Sequence, residues 1–122
     1  MDEKNQNTKR YDLEDRTLEF AKRIRVFVAK LKRTPANIED VKQLIRPSGS
    51  VGANYIEANE ALSKKDFVMR VKICRKEVKE NGYWLKLVDT GEDKKLGQKR
   101  KDLENEALEL THIFGAIVTK SE

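Results

Sequence analysis

Between Leu44 and Leu62 the chain reads LIRPSGSVGANYIEANEAL and carries two interleaved stripes of apolar or small residues at helical spacing, where a surface helix normally has one. Leu44, Ser48, Val51, Tyr55, Ala58 and Leu62 form one stripe, and Ile38, Ile45, Gly49, Gly52 and Ile56 form the other. A helix of this kind needs cover on two sides. Its own core supplies one, and in a chain of 122 residues the second is expected to come from another copy of the protein. The two glycines each cost about 1 kcal/mol relative to alanine in a helix, a cost that fits a close crossing by another backbone. They are assigned to the core stripe and predict a tight helix contact.

The remaining pattern is helical throughout. Charged residues make up 39% of the chain and proline occurs twice, which favours long solvated helices over a sheet. No alternating run bounded by turn dipeptides is present, and the Asn81-Gly82 pair lies inside a helical pattern. Residues 1–10 are polar after Met1 and read as a flexible arm, so a single domain is expected over 11–122. Helix one places Leu13, Phe20, Ile24, Phe27 and Leu31 on one face. Thr34-Pro35 supplies a cap and a first-turn proline for helix two, in which Pro47 predicts a kink or short break. Ser63 with Asp66 opens helix three, whose core stripe is Phe67, Val71, Cys74, Val78 and Leu85. After an Asp89-Thr-Gly91 turn, helix four buries Leu96, Leu103, Ala107, Leu110, Phe114 and Ile117. Short connections predict an all-α, antiparallel, up-down-up-down four-helix bundle.

Helix three also sorts its charges. With Phe67 at zero on a helical wheel, Lys65, Lys72, Arg75, Lys76, Lys79 and Lys86 fall between about 80° and 180°, and Asp66, Glu77 and Glu80 between about 220° and 280°. Interleaved signs would gain i,i+4 pairs, so a segregated flank is a candidate surface for an anionic ligand. Met69, Ile73, Trp84 and Leu87 form an apolar stripe on the opposite flank. Together with Val51 and Tyr55 they are the candidate oligomer interface. Two further acid-free clusters, Lys22, Arg23, Arg25, Lys30, Lys32 and Arg33, and Lys94, Lys95, Lys99, Arg100 and Lys101, could extend a phosphate-contacting surface. The net charge is +5. No aromatic platform accompanies the cations, which argues against a sequence-specific reader of single strands.

Nothing in the pattern points to catalysis. His112 is the sole histidine and is expected as a buried or boundary residue, and Cys74, the sole cysteine, as an inert buried thiol. One histidine cannot build the paired Glu-x-x-His motifs of a di-iron bundle, and no phosphate-cradling glycine loop precedes a Lys-Ser or Lys-Thr. No metal or cofactor is expected. Neither end carries a signal peptide or lipidation motif, and no apolar run approaches the ~20 residues that span a bilayer, so a soluble cytoplasmic protein is expected.

The segments YDLEDRTLEFAKRIRVFV and LIRPSGSVGANYIEANEALSKKDFVMRVKICRKEVKENGYWLKL resemble the four-helix-bundle proteins encoded within intervening sequences of bacterial 23S ribosomal RNA genes. The most specific parts are Ser48-Gly-Ser-Val-Gly-Ala-Asn54, Glu57 and the Cys74-Arg-Lys-Glu77 region. Pro47 departs from the serine usual in that motif. The resemblance implies an antiparallel bundle assembled into a homopentameric ring, without an assigned enzymatic activity or catalytic residues. A more distant resemblance, to the accessory variability determinant proteins of diversity-generating retroelements, implies basic pentamers that associate with RNA and a reverse transcriptase. The expected function is non-enzymatic binding of structured RNA or other nucleic acid by an oligomer. The alternative is a protein-interaction scaffold with no direct nucleic-acid binding.

Overall fold

The computed structural model describes the backbone of residues 2–122, with side chains from Leu13 onward. Four helices make up the fold: α1 (Asp2–Ala29), α2 (Pro35–Asn59), α3 (Lys64–Leu87) and α4 (Lys94–Ser121), with no strand among the described residues. The helical backbone of α1 runs through residues 2–10, and the side chains of this polar segment, read above as an arm, lie outside the described residues.

Each later helix starts on a side-chain cap. Thr34 Oγ1 accepts from the Asn37 backbone N–H at 3.1 Å, Ser63 Oγ from that of Asp66 at 3.1 Å, and Asp93 Oδ1 from that of Leu96 at 3.0 Å. These bonds satisfy N–H groups that have no partner in a first helical turn. Gly91 adopts φ +64°, the left-handed conformation the α3–α4 turn requires, and its N–H donates to Asp89 Oδ1. α2 continues through Pro47 as one helix, so of the expected kink or short break the break is not present. Around this proline, Asn81 Nδ2 donates to the Leu44 carbonyl at 2.9 Å and Ser48 Oγ donates to the Ile45 carbonyl at 2.5 Å. The carbonyl that loses its donor to Pro47 is that of Gln43, one turn back, and these side chains bond the two carbonyls that follow it.

The core is continuous through all four helices. It takes Leu13, Phe20, Ile24, Phe27 and Leu31 from α1 and its following loop, Leu44, Val51, Tyr55 and Ala58 from α2, Val71, Cys74, Val78 and Leu85 from α3, and Leu96 to Phe114 at the expected spacing from α4. Two details of the expected stripes change. Phe67 is only half-buried, and α4 closes its core on Val118 while Ile117 sits at the boundary.

The two α2 stripes differ in role. Leu44, Ser48, Val51, Tyr55 and Ala58 point inward, whereas Gly49 and Ile56 are exposed and Gly52 is half-buried beside α1. The glycines therefore lie off the core stripe, which corrects their assignment above. The two stripes sit about 100° apart on the wheel, and the one with the larger buried side chains took the interior. The tight contact is nevertheless present at Gly52, where a Cβ would stand 3.0 Å from Thr17 Oγ1.

Buried polar residues tie the helices together. Asn37 Nδ2 donates to the carbonyls of Lys32 and Asp89, each at 3.0 Å, while its Oδ1 accepts from the Asp89 N–H at 2.9 Å. One amide thereby joins the α1–α2 and α3–α4 connections. Between α1 and α4, Arg16 makes a two-pronged bond to Glu106 at 2.7 and 2.8 Å and reaches Glu109 at 3.1 Å. These carboxylates hold the guanidinium pKa above its ordinary value.

Candidate nucleic-acid interface

Part of the cation flank of α3 lies along its seam with α4. Facing Phe67, Val71, Cys74, Val78 and Leu85 toward the core leaves residues rotated by about 60° to 120° beside α4. Lys79 and Lys86 border a groove of about 450 Å³ together with Gly82 and Tyr83 of α3 and Glu104, Asn105 and Leu108 of α4. Arg75 lies across the helix contact, its Cδ 3.9 Å from where a Cβ would stand on Gly115. At the far end Lys72 Nζ pairs with Glu122 at 3.1 Å, and Lys65 and Lys72 border an open depression with Met69.

Lys65, Lys72, Lys76, Lys79 and Lys86 are exposed, and Arg75 is half-buried. Among the described residues no carboxylate stands within ion-pair distance of Lys65, Arg75, Lys76, Lys79 or Lys86. Arg75, Lys79 and Lys86 thus line the α3–α4 seam, Lys72 is neutralised by Glu122 where it and Lys65 border the depression at Met69, and Lys76 is exposed further round the helix. A row of cations on a rigid helix can contact successive phosphates, and in it Arg75 alone carries a planar donor set, half-buried against α4.

The candidate interface residues separate into two groups. Met69 and Leu87 are 48% and 49% exposed on the outer face of α3, while Ile73 and Trp84 are half-buried. Trp84 packs against the core and meets the Tyr83 ring edge-on at 5.1 Å. Val51 and Tyr55 do not belong to a surface: they are 0% and 5% exposed inside the chain's own core. The Tyr55 ring stands 5.8 Å from that of Phe114, and the Val51 carbonyl accepts from Cys74 Sγ at 3.3 Å. Two apolar stripes on α2 suggested two partners, yet the stripe carrying Val51 and Tyr55 is satisfied by α3 and α4. The other α2 stripe exposes Ile38 and Ile56, and Ile56 faces Leu18 of α1 across a groove lined by Gly49, Gly52 and Ala53. Periodicity marked Ile56 and the glycines but gave no reason to pair them with Leu18.

His112 is exposed, contrary to a buried or boundary position, because it stands two residues from both Leu110 and Phe114 and so faces away from the inward register. Cys74 is fully buried, and desolvation pushes its thiol from 9.0 up to about 12, so the thiolate needed for nucleophilic chemistry is disfavoured. Among the described residues no three His, Cys, Asp or Glu side chains are grouped to hold a metal ion. No helix is long and apolar enough to cross a membrane among those residues.

Comparison with known proteins follows the same lines. A crystal structure of a protein of unknown function from the S23 ribosomal protein family of Bacteroides thetaiotaomicron VPI-5482 is similar in fold, with a TM-score of 0.74 and 30% sequence identity over 86% of this chain and 96% of that one. No curated protein matches the chain. The family model of the 23S rRNA-intervening sequence proteins matches residues 9–115, nearly the whole of the four helices. The chain therefore belongs to the 23S rRNA-intervening sequence protein family.

Proposed function

We propose that this protein is a non-enzymatic, self-associating helical bundle that binds structured RNA through the cation flank of α3. The observation that carries the reading is the row Lys65, Arg75, Lys76, Lys79 and Lys86, which has no carboxylate within ion-pair distance among the described residues. Such a row neutralises phosphates and releases counterions, and its affinity is read through shape and charge. An up-down-up-down antiparallel order underlies the surface and is supported by opposed cross-helix pairs. Asn59 meets Glu14 and Arg25 meets Ser48 between α1 and α2, while Arg70 meets Asn54 and Asn81 meets Leu44 between α2 and α3.

Self-association would repeat the row on each copy and raise avidity without new contacts. Met69 and Leu87 on α3, and Leu18 with Ile56 at the α1–α2 groove, are among the exposed apolar side chains that could serve it. A five-membered ring and a protein partner such as a reverse transcriptase are extensions that rest on the family resemblance. Reversing Lys72, Arg75, Lys76 and Lys79 to glutamate tests the RNA reading. Retention on a structured ribosomal RNA fragment is expected to be lost with helicity unchanged, and unchanged retention would overturn it. Pulldowns that survive nuclease treatment, with no RNA retained, would instead favour a scaffold for an acidic protein partner.

A further inference from the structure

The basic clusters of residues 22–33 and 94–101 are far apart in sequence, but the fold places them across one seam. Lys22, Arg23, Val26 and Phe27 of α1 and Lys99 and Leu103 of α4 line a cleft of about 200 Å³. Lys30 follows Arg23 by seven residues, in the turn just past the end of α1, and by helical register Lys95 precedes Lys99 on the facing flank of α4. Two members of the clusters are diverted to structural bonds. Arg25 donates to the Ala21 carbonyl and Ser48 Oγ, and Arg100 donates to the Val88 carbonyl.

Charge along this seam is divided by position. In one half Arg16 is neutralised by Glu106 and Glu109. In the other half Glu19 and Asp102 line the cleft, yet among the described residues no carboxylate lies within ion-pair distance of Lys22, Arg23, Lys30, Lys95 or Lys99. The floor is aliphatic apart from the edge of the buried Phe27, with no exposed aromatic ring on which a base could stack. A row of unneutralised cations over a shallow floor suits a sugar-phosphate backbone, which asks for charge at intervals and no deep pocket.

We propose that the α1–α4 cleft is a second phosphate-docking face, separate from the α3 flank, which takes the backbone of a structured RNA. This inference rests on the RNA-binding reading above. α4 borders both faces, so one folded RNA can touch each side of it.

The test is fluorescence anisotropy with a labelled structured ribosomal RNA hairpin over a series of salt concentrations. It uses wild type, an α1–α4 variant (Lys22→Gln, Arg23→Gln, Lys95→Gln, Lys99→Gln) and the α3 charge-reversal variant, with helicity checked by circular dichroism. The α1–α4 variant is expected to bind at least ~10-fold more weakly at low salt, with a log-log salt slope shallower by about 3 for four lost phosphate contacts. An α1–α4 variant with wild-type affinity and slope, beside an α3 variant that no longer binds, would overturn the second face and leave the first reading intact. Absence of binding by the wild type would overturn both. A poly-glutamate peptide that binds the wild type and not the α1–α4 variant, with RNA binding unaffected, would assign the cleft to an acidic protein and also overturn the proposal.

Discussion

Asn37 and Cys74 show how single buried side chains govern this molecule. Asn37 makes three bonds that join two connections at one end of the bundle. Replacing it with alanine removes three bonds that hold the two connections together and is expected to cost about 3 kcal/mol, measurable as a lower urea midpoint at unchanged slope. Cys74 behaves differently because its neutral form is the one that fits. Its thiol is pushed up to about 12 from an ordinary 9.0. The folded state therefore holds the proton where the unfolded chain releases it. The resulting stability is complete below pH 9 and is lost as pH rises toward 12. A Cys74→Val variant, similar in size and without a titrating group, is expected to show a smaller loss than wild type between those pH values in parallel urea melts. Identical pH dependence would contradict the assignment. Sequence pattern identified the buried thiol from its place on the α3 stripe. It did not identify Asn37, since a polar residue in a first turn normally faces water and only the approach of the Asp89 backbone makes it internal.

At the level of the helices, boundaries and inward faces were legible because caps and periodicity agree. Thr34-Pro35 and Ser63 mark starts that the structure places at the same residues, and the inward residues of α1 occur at the expected spacing. α2 was ambiguous for a physical reason: period alone says that two stripes exist, and which one turns inward depends on what the other helices bury. The assignment of Val51 and Tyr55 to an interface failed on that point. The glycine pair now supports a sharp contrast. A Cβ on Gly52 would press on Thr17, which is buried and held by bonds to the Leu13 and Glu14 carbonyls. Gly52→Ala is therefore expected to destabilise by about 1 kcal/mol despite the better helix propensity of alanine. Gly49→Ala meets only Arg25 Nη2, at an ordinary contact distance of 3.6 Å, and is expected to stabilise by up to about 1 kcal/mol. Thermal melts of the two variants that move in the same direction would contradict this account of the α1–α2 crossing.

For the whole molecule, the fold separates exposed cations from packing residues. Core residues occupy the inward registers, and the cations segregate along the seams that α4 shares with α3 and α1. The α3 flank was legible from a wheel because it lies on one helix. The α1–α4 cleft was not, since its two clusters meet only through tertiary packing. Self-association belongs to this scale. Light scattering is expected to give a mass several times that of one chain, 14.1 kDa, and a Met69→Glu, Leu87→Glu variant is expected to shift it downward. A wild-type monomer at micromolar concentration would remove that part of the account.

The most direct test is a titration of nuclease-treated protein against a structured ribosomal RNA, with matched duplex DNA alongside, at several salt concentrations. The account predicts binding that weakens steeply with salt and favours the RNA, as a repeated phosphate-contacting surface requires. No binding at low salt would contradict it and leave the bundle as a scaffold for other proteins.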